Sequence, residues 1–186
     1  MRIFHGFDTL PRFVHPAVTV GSYDGVHLGH RALIERLVAE AQATGGESIV
    51  MTFEPHPRIT LGRAGGLRLL TTLDEKIRLL EGLGVDNVLV IPFDKAFSGL
   101  SGAQFVHDYL IGRVGAETLV VGYNHRFGHD RIDCCALAAT GLKIVKVGEC
   151  EVDGRHVSST VIRKLIDSGN YAEAERLLGH PLKITE

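Results

Sequence analysis

Short apolar runs rich in β-branched residues alternate along the chain with stretches whose apolar positions recur every three or four residues. The first pattern predicts buried strands and the second amphipathic helices. Their alternation predicts parallel pairing with right-handed crossovers. We therefore expect one domain over residues 1–186 with an α/β fold, a mostly parallel five-stranded sheet with helices on both faces. The predicted strands are Ala17–Ser22, Ser48–Phe53, Val85–Ile91, Thr118–Gly122 and Leu142–Val147.

Caps and glycines set the predicted helix boundaries. A first helix should begin near Leu28 and end near Ala43, because Gly45 and Gly46 follow. Capping boxes at Thr72–Glu75 and Ser101–Gln104 predict two more helices. Two tail helices are predicted at about Ser159–Ser168 and Tyr171–Leu178. The segment Glu54–Leu70 is too long and irregular for a plain connection, so we interpret it as a flap over a site.

Composition narrows the class of protein. The formal net charge is -2, so no global basic field points to nucleic acid as a partner. No apolar run approaches the ~18–20 residues that cross a bilayer, so no membrane contact is expected. The three cysteines, Cys134, Cys135 and Cys150, fit neither a disulfide framework nor a zinc site. We expect reduced thiols and a cytoplasmic location.

The string Gly-Ser-Tyr-Asp-Gly-Val-His-Leu-Gly-His at residues 21–30 follows the first predicted strand. Ligands of open α/β sheets bind beyond the carboxyl ends of strands, and a helix N-terminus there attracts phosphate. His27 and His30 share one face of the first helical turn and can donate hydrogen bonds to phosphate oxygens. Asp24 is a candidate orienter of this turn. A buried turn with two incidental histidines is the alternative, and a zinc site lacks a third ligand.

A second motif, Ser-Ser-Thr-Val-Ile-Arg at Ser158–Arg163, opens a tail helix. Ser158 or Ser159 can cap that helix, and Thr160 lies in its first turn. The guanidinium of Arg163 lies within one turn and can reach a phosphate. On its own, the motif is more readily interpreted as a well-capped helix with a surface arginine.

His27-Leu-Gly-His30 matches the His-x-Gly-His signature of the nucleotidylyltransferase superfamily, and Ser158–Arg163 matches its second signature. The longer string Tyr23–His27 resembles bacterial FAD synthetases, which are bifunctional riboflavin kinase/FMN adenylyltransferases. The resemblance implies a Rossmann-like nucleotidylyltransferase fold and transfer of AMP from ATP to FMN, giving FAD and pyrophosphate. The implied catalytic residues are His27, His30, Ser159, Thr160 and Arg163. The implied ATP-binding residues are Gly21, Ser22, Tyr23, Gly25, Gly29 and Ser158.

By the same resemblance, two further blocks indicate FMN as the acceptor. Thr52–Pro57 resembles the Phe-(Glu/Asp)-Pro-His-Pro block of that family, and Val120–Gly128 resembles its Val-Val-Gly-x-(Asp/Asn)-x-x-Phe-Gly block. The implied flavin-binding residues are Phe53, His56, Asn124, Phe127 and Arg126. Mg²⁺ is expected to bridge the phosphates of ATP and to keep most of its waters, with no protein metal site.

The chain departs from the family at two places. The segment Ile132–Thr140 is several residues short, which thins the expected wall of the flavin site. The chain ends at Glu186, where family members continue into a riboflavin kinase barrel, so we expect no riboflavin kinase activity here and FMN supplied by a separate kinase. Two alternatives stay open. One is a nucleotidylyltransferase with another acceptor, such as nicotinate mononucleotide, phosphopantetheine or glycerol phosphate, and the other is a non-catalytic nucleotide- or flavin-binding module.

Overall fold

The computed structural model describes residues 1–63, 65–133 and 140–182. Its strands, in chain order, are β1 (Arg2–His5), β2 (Ala17–Val20), β3 (Ser48–Glu54), β4 (Asn87–Pro92), β5 (Thr118–Gly122), β6 (Arg126–Phe127), β7 (Ile132–Asp133), β8 (Lys143–Val147), β9 (Glu151–Val152) and β10 (Arg155–His156). Six of them form one sheet in the order β1-β4-β3-β2-β5-β8, and every neighbouring pair is parallel. β6 with β7, and β9 with β10, form small antiparallel hairpins.

The prediction of a parallel α/β sheet is confirmed, but the predicted count of five strands was wrong. The sixth strand is β1, which pairs with β4 at the edge of the sheet, with Arg2 opposite Asn87. Three of the four β1 residues are exposed. An edge strand buries too little to need a run of apolar residues, so periodicity gave no sign of it.

The helices are α1 (Leu28–Ala43), α2 (Pro57–Thr60), α3 (Leu73–Gly82), α4 (Lys95–Ser98), α5 (Gly102–Gln104), α6 (Ser159–Asp167) and α7 (Tyr171–Leu178). The predicted capping boxes of Thr72 with Glu75 and of Ser101 with Gln104 are both present. After α5 the chain continues as a π-helix over Phe105–Ile111. None of the helices in the described ranges is long and apolar enough to cross a membrane.

Helices cover both faces of the sheet, as predicted. On one face, Ile34 and Leu37 of α1 and Leu80 of α3 pack over Val50 and neighbouring strand residues. On the other face, the π-helix packs against side chains that alternate with those along the same strands, such as Val18 and Ile49. α6 and α7 pack on each other through a smaller apolar cluster. The carboxyl ends of β2, β3 and β5 are left as the edge at which loops can build a site.

Candidate active site

The turn between β2 and α1 holds an unusual backbone conformation. Tyr23, Gly25 and Val26 all have positive φ angles. Gly25 has φ +85, and a Cβ there would lie 2.8 Å from Cδ1 of Leu70. The Tyr23 side chain is 3% exposed, and its hydroxyl makes a 2.8 Å hydrogen bond with Thr19 Oγ1. The buried Tyr23 ring therefore packs against the turn, and only the backbone of Tyr23 is available to a nucleotide.

The two signature histidines are stacked on each other at the start of α1. Their ring centroids are 3.6 Å apart with an interplanar angle of 17°. His27 is the N-cap, and its Nδ1 accepts a 3.3 Å hydrogen bond from the backbone N–H of His30. This bond assigns the proton of the neutral ring to Nε2, which is then free to act as a donor. Nδ1 of His30 is buried and has no hydrogen-bond partner among the described residues.

Both rings are neutral at physiological pH. Burial lowers the pKa of His27 to about 4, and repulsion from His156 adds to the effect. Burial also lowers the pKa of His30 far below its ordinary value, with further contributions from His27 and Lys76. The pair can thus donate hydrogen bonds to phosphate oxygens while adding no net charge.

Asp24 joins the signature turn to two other segments. The carboxylate is 2% exposed, and its Oδ1 accepts hydrogen bonds from the backbone N–H groups of Leu70 at 2.8 Å and Thr71 at 3.3 Å. Its Oδ2 forms an ion pair with Arg163. The predicted role of Asp24 as an orienter of the turn fits these contacts.

α6 begins with the second motif, and the residues of that motif make different contacts. Ser158 is the N-cap and accepts a hydrogen bond from the backbone N–H of Val161. Ser159 Oγ donates to the carbonyl oxygen of Asp24 at 2.9 Å. Thr160 is exposed, so its hydroxyl is open to a ligand. The Arg163 guanidinium donates through Nε to the Arg68 carbonyl at 2.8 Å, so it is held at the turn by two partners.

The predicted flap is anchored at both ends. Its first part contains the one-turn helix α2, capped by His56, whose Nδ1 accepts a 3.1 Å bond from Arg58 N–H. Its last residue, Leu70, is held by Asp24. His56 is 9% exposed, and burial lowers its pKa, with Asp24 opposing that shift and Lys76 and Arg163 adding to it. His56 therefore lies near the charged cluster, and it is not among the residues that line the aromatic cavity described next. Its assignment to the flavin stays a prediction.

An aromatic cavity of about 590 Å³ lies beside the turn, within the size range of small-molecule sites. Its lining includes Val20, Phe53, Pro57, Leu61, Arg63, Phe93, Phe97, Ser98, Leu100, Phe105, Asn124, His125, Arg126, Phe127, Gly128, His129 and Arg131. Four of the five predicted flavin-binding residues are among them. Phe127 is 2% exposed and stacks on Phe105, so it is mainly a core residue with an edge at the cavity.

Sequence reasoning missed three features of this cavity. Phe93 and Phe97 form an aromatic group with Phe53, with centroid distances of 5.2 Å for Phe53–Phe93 and 5.8 Å for Phe93–Phe97. His125 packs at 4.4 Å on Phe127, and burial lowers its pKa to about 4. The two phenylalanines lie after β4, a strand end for which no motif gave a signal.

Lys76 is the other residue that sequence reasoning missed. It is 4% exposed, and its Nζ donates to Thr52 Oγ1 at 3.2 Å, beside the signature turn. A signal existed, because Lys76 lies three residues after Leu73 and four before Leu80, within the apolar stripe of α3.

No group of three or more His, Cys, Asp or Glu side chains in the described ranges could hold a metal ion. Cys150 is unpaired, whereas Cys134 and Cys135 lie outside the described residues. Most of the segment expected to be short, Ile132–Thr140, also lies outside them.

Comparison with known proteins gives a family model, curated relatives and similar solved structures. A family model described as FAD synthetase matches residues 13–161. The chain is 37% identical over 173 residues to the bifunctional riboflavin kinase/FMN adenylyltransferase of Escherichia coli K12, covering 90% of this chain and 55% of that protein, so it spans about half the length of that relative. It is 35% identical to a protein of Geobacillus thermodenitrificans provisionally named for the same two activities, covering 94% of this chain and 93% of that protein. The crystal structure of a macrolide-efflux protein from Streptococcus pneumoniae superposes with a TM-score of 0.85 at 28% identity, covering 98% of this chain and 61% of that chain.

Proposed function

The chain belongs to the FAD synthetase family, and we propose that it is an FMN adenylyltransferase. In the proposed reaction, AMP passes from ATP to the phosphate of FMN, and FAD and pyrophosphate are the products. One observation carries the proposal: the signature turn, with two stacked histidines at a helix N-terminus, adjoins an aromatic cavity where β2 and β3 end. Val20 and Phe53 line the cavity, and the signature turn begins one residue after Val20.

The proposed mechanism is direct in-line displacement. A phosphate oxygen of FMN attacks the α-phosphorus of ATP, a new P–O bond forms, and the bond from the α-phosphorus to the bridging oxygen of pyrophosphate breaks. A phosphate monoester is already a nucleophile, so no covalent enzyme intermediate is needed. Catalysis then consists of positioning and stabilisation of developing charge.

The ATP side of the site is assigned as follows. His27 and His30 donate hydrogen bonds to phosphate oxygens at the point of transfer, assisted by the N-terminal N–H groups of α1. Arg163, the Thr160 hydroxyl and the backbone N–H of Ser159 hold the β- and γ-phosphates, and Asp24 fixes Arg163 for that task. The backbone of the turn and the Ser158 cap complete the nucleotide contacts, which we assign to Gly21, Ser22, Gly25, Gly29 and Ser158.

Mg²⁺ is assigned to the nucleotide, entering as the Mg²⁺ complex of ATP. Asp24, the carboxylate of the turn itself, already binds Arg163 and two backbone N–H groups. Phosphate oxygens and water are therefore the expected ligands of the ion.

The aromatic cavity is assigned to the isoalloxazine ring of FMN. Phe53 and Phe127 offer ring faces and edges for stacking, Asn124 is exposed for hydrogen bonding, and Arg126 is held in place by a 3.0 Å ion pair with Asp133. We further propose a cytoplasmic location, because the Cys150 thiol is free among the described residues.

Incubation with Mg²⁺-ATP and one acceptor at a time, followed by chromatography, tests the proposal. FMN should give FAD, and riboflavin, which lacks the nucleophilic phosphate, should give no product. Turnover only with nicotinate mononucleotide, phosphopantetheine or glycerol phosphate would show that this compound, and not FMN, is the acceptor. Tight ATP binding without turnover on any acceptor would indicate a binding module.

A further inference from the structure

Lys76 places a charged amino group under the carboxyl ends of β2 and β3. The side chain is 4% exposed, and its position on α3 is fixed by the capping box at Thr72. Nζ donates to Thr52 Oγ1 at 3.2 Å, and Thr52 Oγ1 in turn donates to the carbonyl oxygen of Ser22 at 3.3 Å. Lys76 is thus linked through Thr52 to the signature turn. Phe53 of the cavity follows Thr52 in β3, and its side chain points to the other face of the sheet.

An ammonium group has three N–H donors, and within the described ranges Lys76 uses one. Burying a charge with incomplete hydrogen bonding is costly, so such a group is retained where a ligand completes it. Burial lowers the pKa of Lys76, and the carboxylates of Asp24 and Glu54 oppose that shift. Neither is a dedicated partner, because Asp24 is paired with Arg163 and Glu54 is exposed.

The charge balance of the site points the same way. The two signature histidines are neutral, and the charge of Arg163 is largely offset by Asp24. A phosphate monoester that carries about two negative charges needs a nearby cation to be held in a partly buried site. Arg63, Arg126 and Arg131 line the aromatic cavity itself. Beside the signature turn, Lys76 is a buried cation that makes no ion pair with the described residues.

We propose that Lys76 binds the phosphate of the acceptor, with Nζ donating to its non-bridging oxygens while the acceptor ring occupies the aromatic cavity. This inference rests on the proposed function, since it takes FMN as the acceptor. It assigns Lys76 to recognition of the phosphorylated flavin and leaves the β- and γ-phosphates of ATP to Arg163.

The test compares binding of FMN and riboflavin without ATP, by quenching of flavin fluorescence, so it needs no turnover. The unsubstituted protein should bind FMN more tightly than riboflavin by about 10- to 100-fold, as for a charged hydrogen bond. Lys76→Met should remove most of that preference and leave riboflavin affinity unchanged, whereas Lys76→Arg should retain part of it. Lys143→Met is the matched control, because the Lys143 amino group pairs with Glu40 at the amino end of β8, away from the site.

A preference for FMN that survives in folded Lys76→Met, or that is absent from the unsubstituted protein, overturns the inference. If Lys76→Met does not fold, ¹³C-lysine labelling of the unsubstituted protein decides: a Cε resonance should shift with FMN and not with riboflavin, and no such difference overturns the inference. FAD formation is scored separately. If FAD forms but the preference does not depend on Lys76, this inference fails alone. If the preference depends on Lys76 but no FAD forms, the proposed function fails alone.

Discussion

At the residue scale, the part of the site assigned to ATP combines neutral donors with paired charges. His27 and His30 are stripped of charge by burial, and the charge of Arg163 is tied to Asp24. Free cations would bind ATP, ADP and pyrophosphate indiscriminately, whereas neutral donors in fixed positions respond most to charge that develops during reaction. The arrangement therefore favours stabilisation of the transition state over tight binding of phosphates.

The His30→Ala variant tests that role. We expect folding to be nearly intact and the turnover number to fall by about 10²–10³, the typical cost of losing one such donor. His15→Ala is the control, because His15 is exposed and pairs with Glu117 near the amino ends of β2 and β5, away from the site. Steady-state FAD formation measures both, and normal turnover by a folded His30→Ala protein would remove His30 from the mechanism.

The ion pair of Asp24 and Arg163 is the second residue-scale test. Asp24→Asn keeps an oxygen for the N–H groups of Leu70 and Thr71 but leaves the Arg163 charge uncompensated in a site where its side chain is 16% exposed. We expect the free energy of unfolding to fall by about 3 kcal/mol in urea denaturation. Asp24→Asn with Arg163→Met should cost less than the sum of the two single variants, and strict additivity would contradict the pairing.

At the element scale, the helix starts carry the site and were the most predictable part of the chain. The bounds of α1 match the prediction, and so do the capping boxes, because caps are local hydrogen bonds that sequence specifies directly. The π-helix was predicted only as a helix. Its bonds from Gly112 N–H to the His107 carbonyl and from Val114 N–H to the Tyr109 carbonyl join residues five positions apart, which apolar spacing does not reveal.

The turn that delivers α1 depends on Gly25. Alanine at position 25 would have an unfavourable positive φ and would also meet Leu70 and Leu178. Gly45 has φ +64, and the space that an added Cβ would occupy there is open, so Gly45→Ala isolates the backbone cost, about 1–2 kcal/mol. Gly25→Ala should lose about 1–3 kcal/mol more in chemical denaturation because of overpacking. Equal losses would mean that the turn relaxes freely.

At the scale of the whole molecule, the parallel sheet brings together segments far apart in sequence. The fold class was predictable because strand and helix patterns alternate, and the motif residues were predictable because they are local strings. The contacts of Lys76 with Thr52 and of Asp24 with Arg163 were not, since they join different elements across the sheet edge. The cavity was only half predicted for the same reason, because Phe93 and Phe97 come from the end of β4.

Buried histidines also give the molecule a predicted pH profile. The folded pKa values of His27 and His125 are about 4, below the ordinary value of 6.5, and that of His30 is lowered too. The unfolded chain takes up protons first, so stability should be constant above about pH 6.5 and should fall below it, by up to ~1.4 kcal/mol per pH unit per group. Urea midpoints from pH 7.5 to 4.5 measure this. His125→Asn should flatten the slope, and exposed His15→Asn should not.

We propose that AMP passes intact from ATP to FMN by direct displacement at this site. Incubation with FMN and ATP labelled with ³²P at either the α- or the γ-position tests it most directly. We expect α-label to appear in FAD and γ-label in pyrophosphate, in equal amounts. Label from the γ-position in inorganic phosphate or in a flavin, or no labelled FAD at all from folded protein, would contradict it.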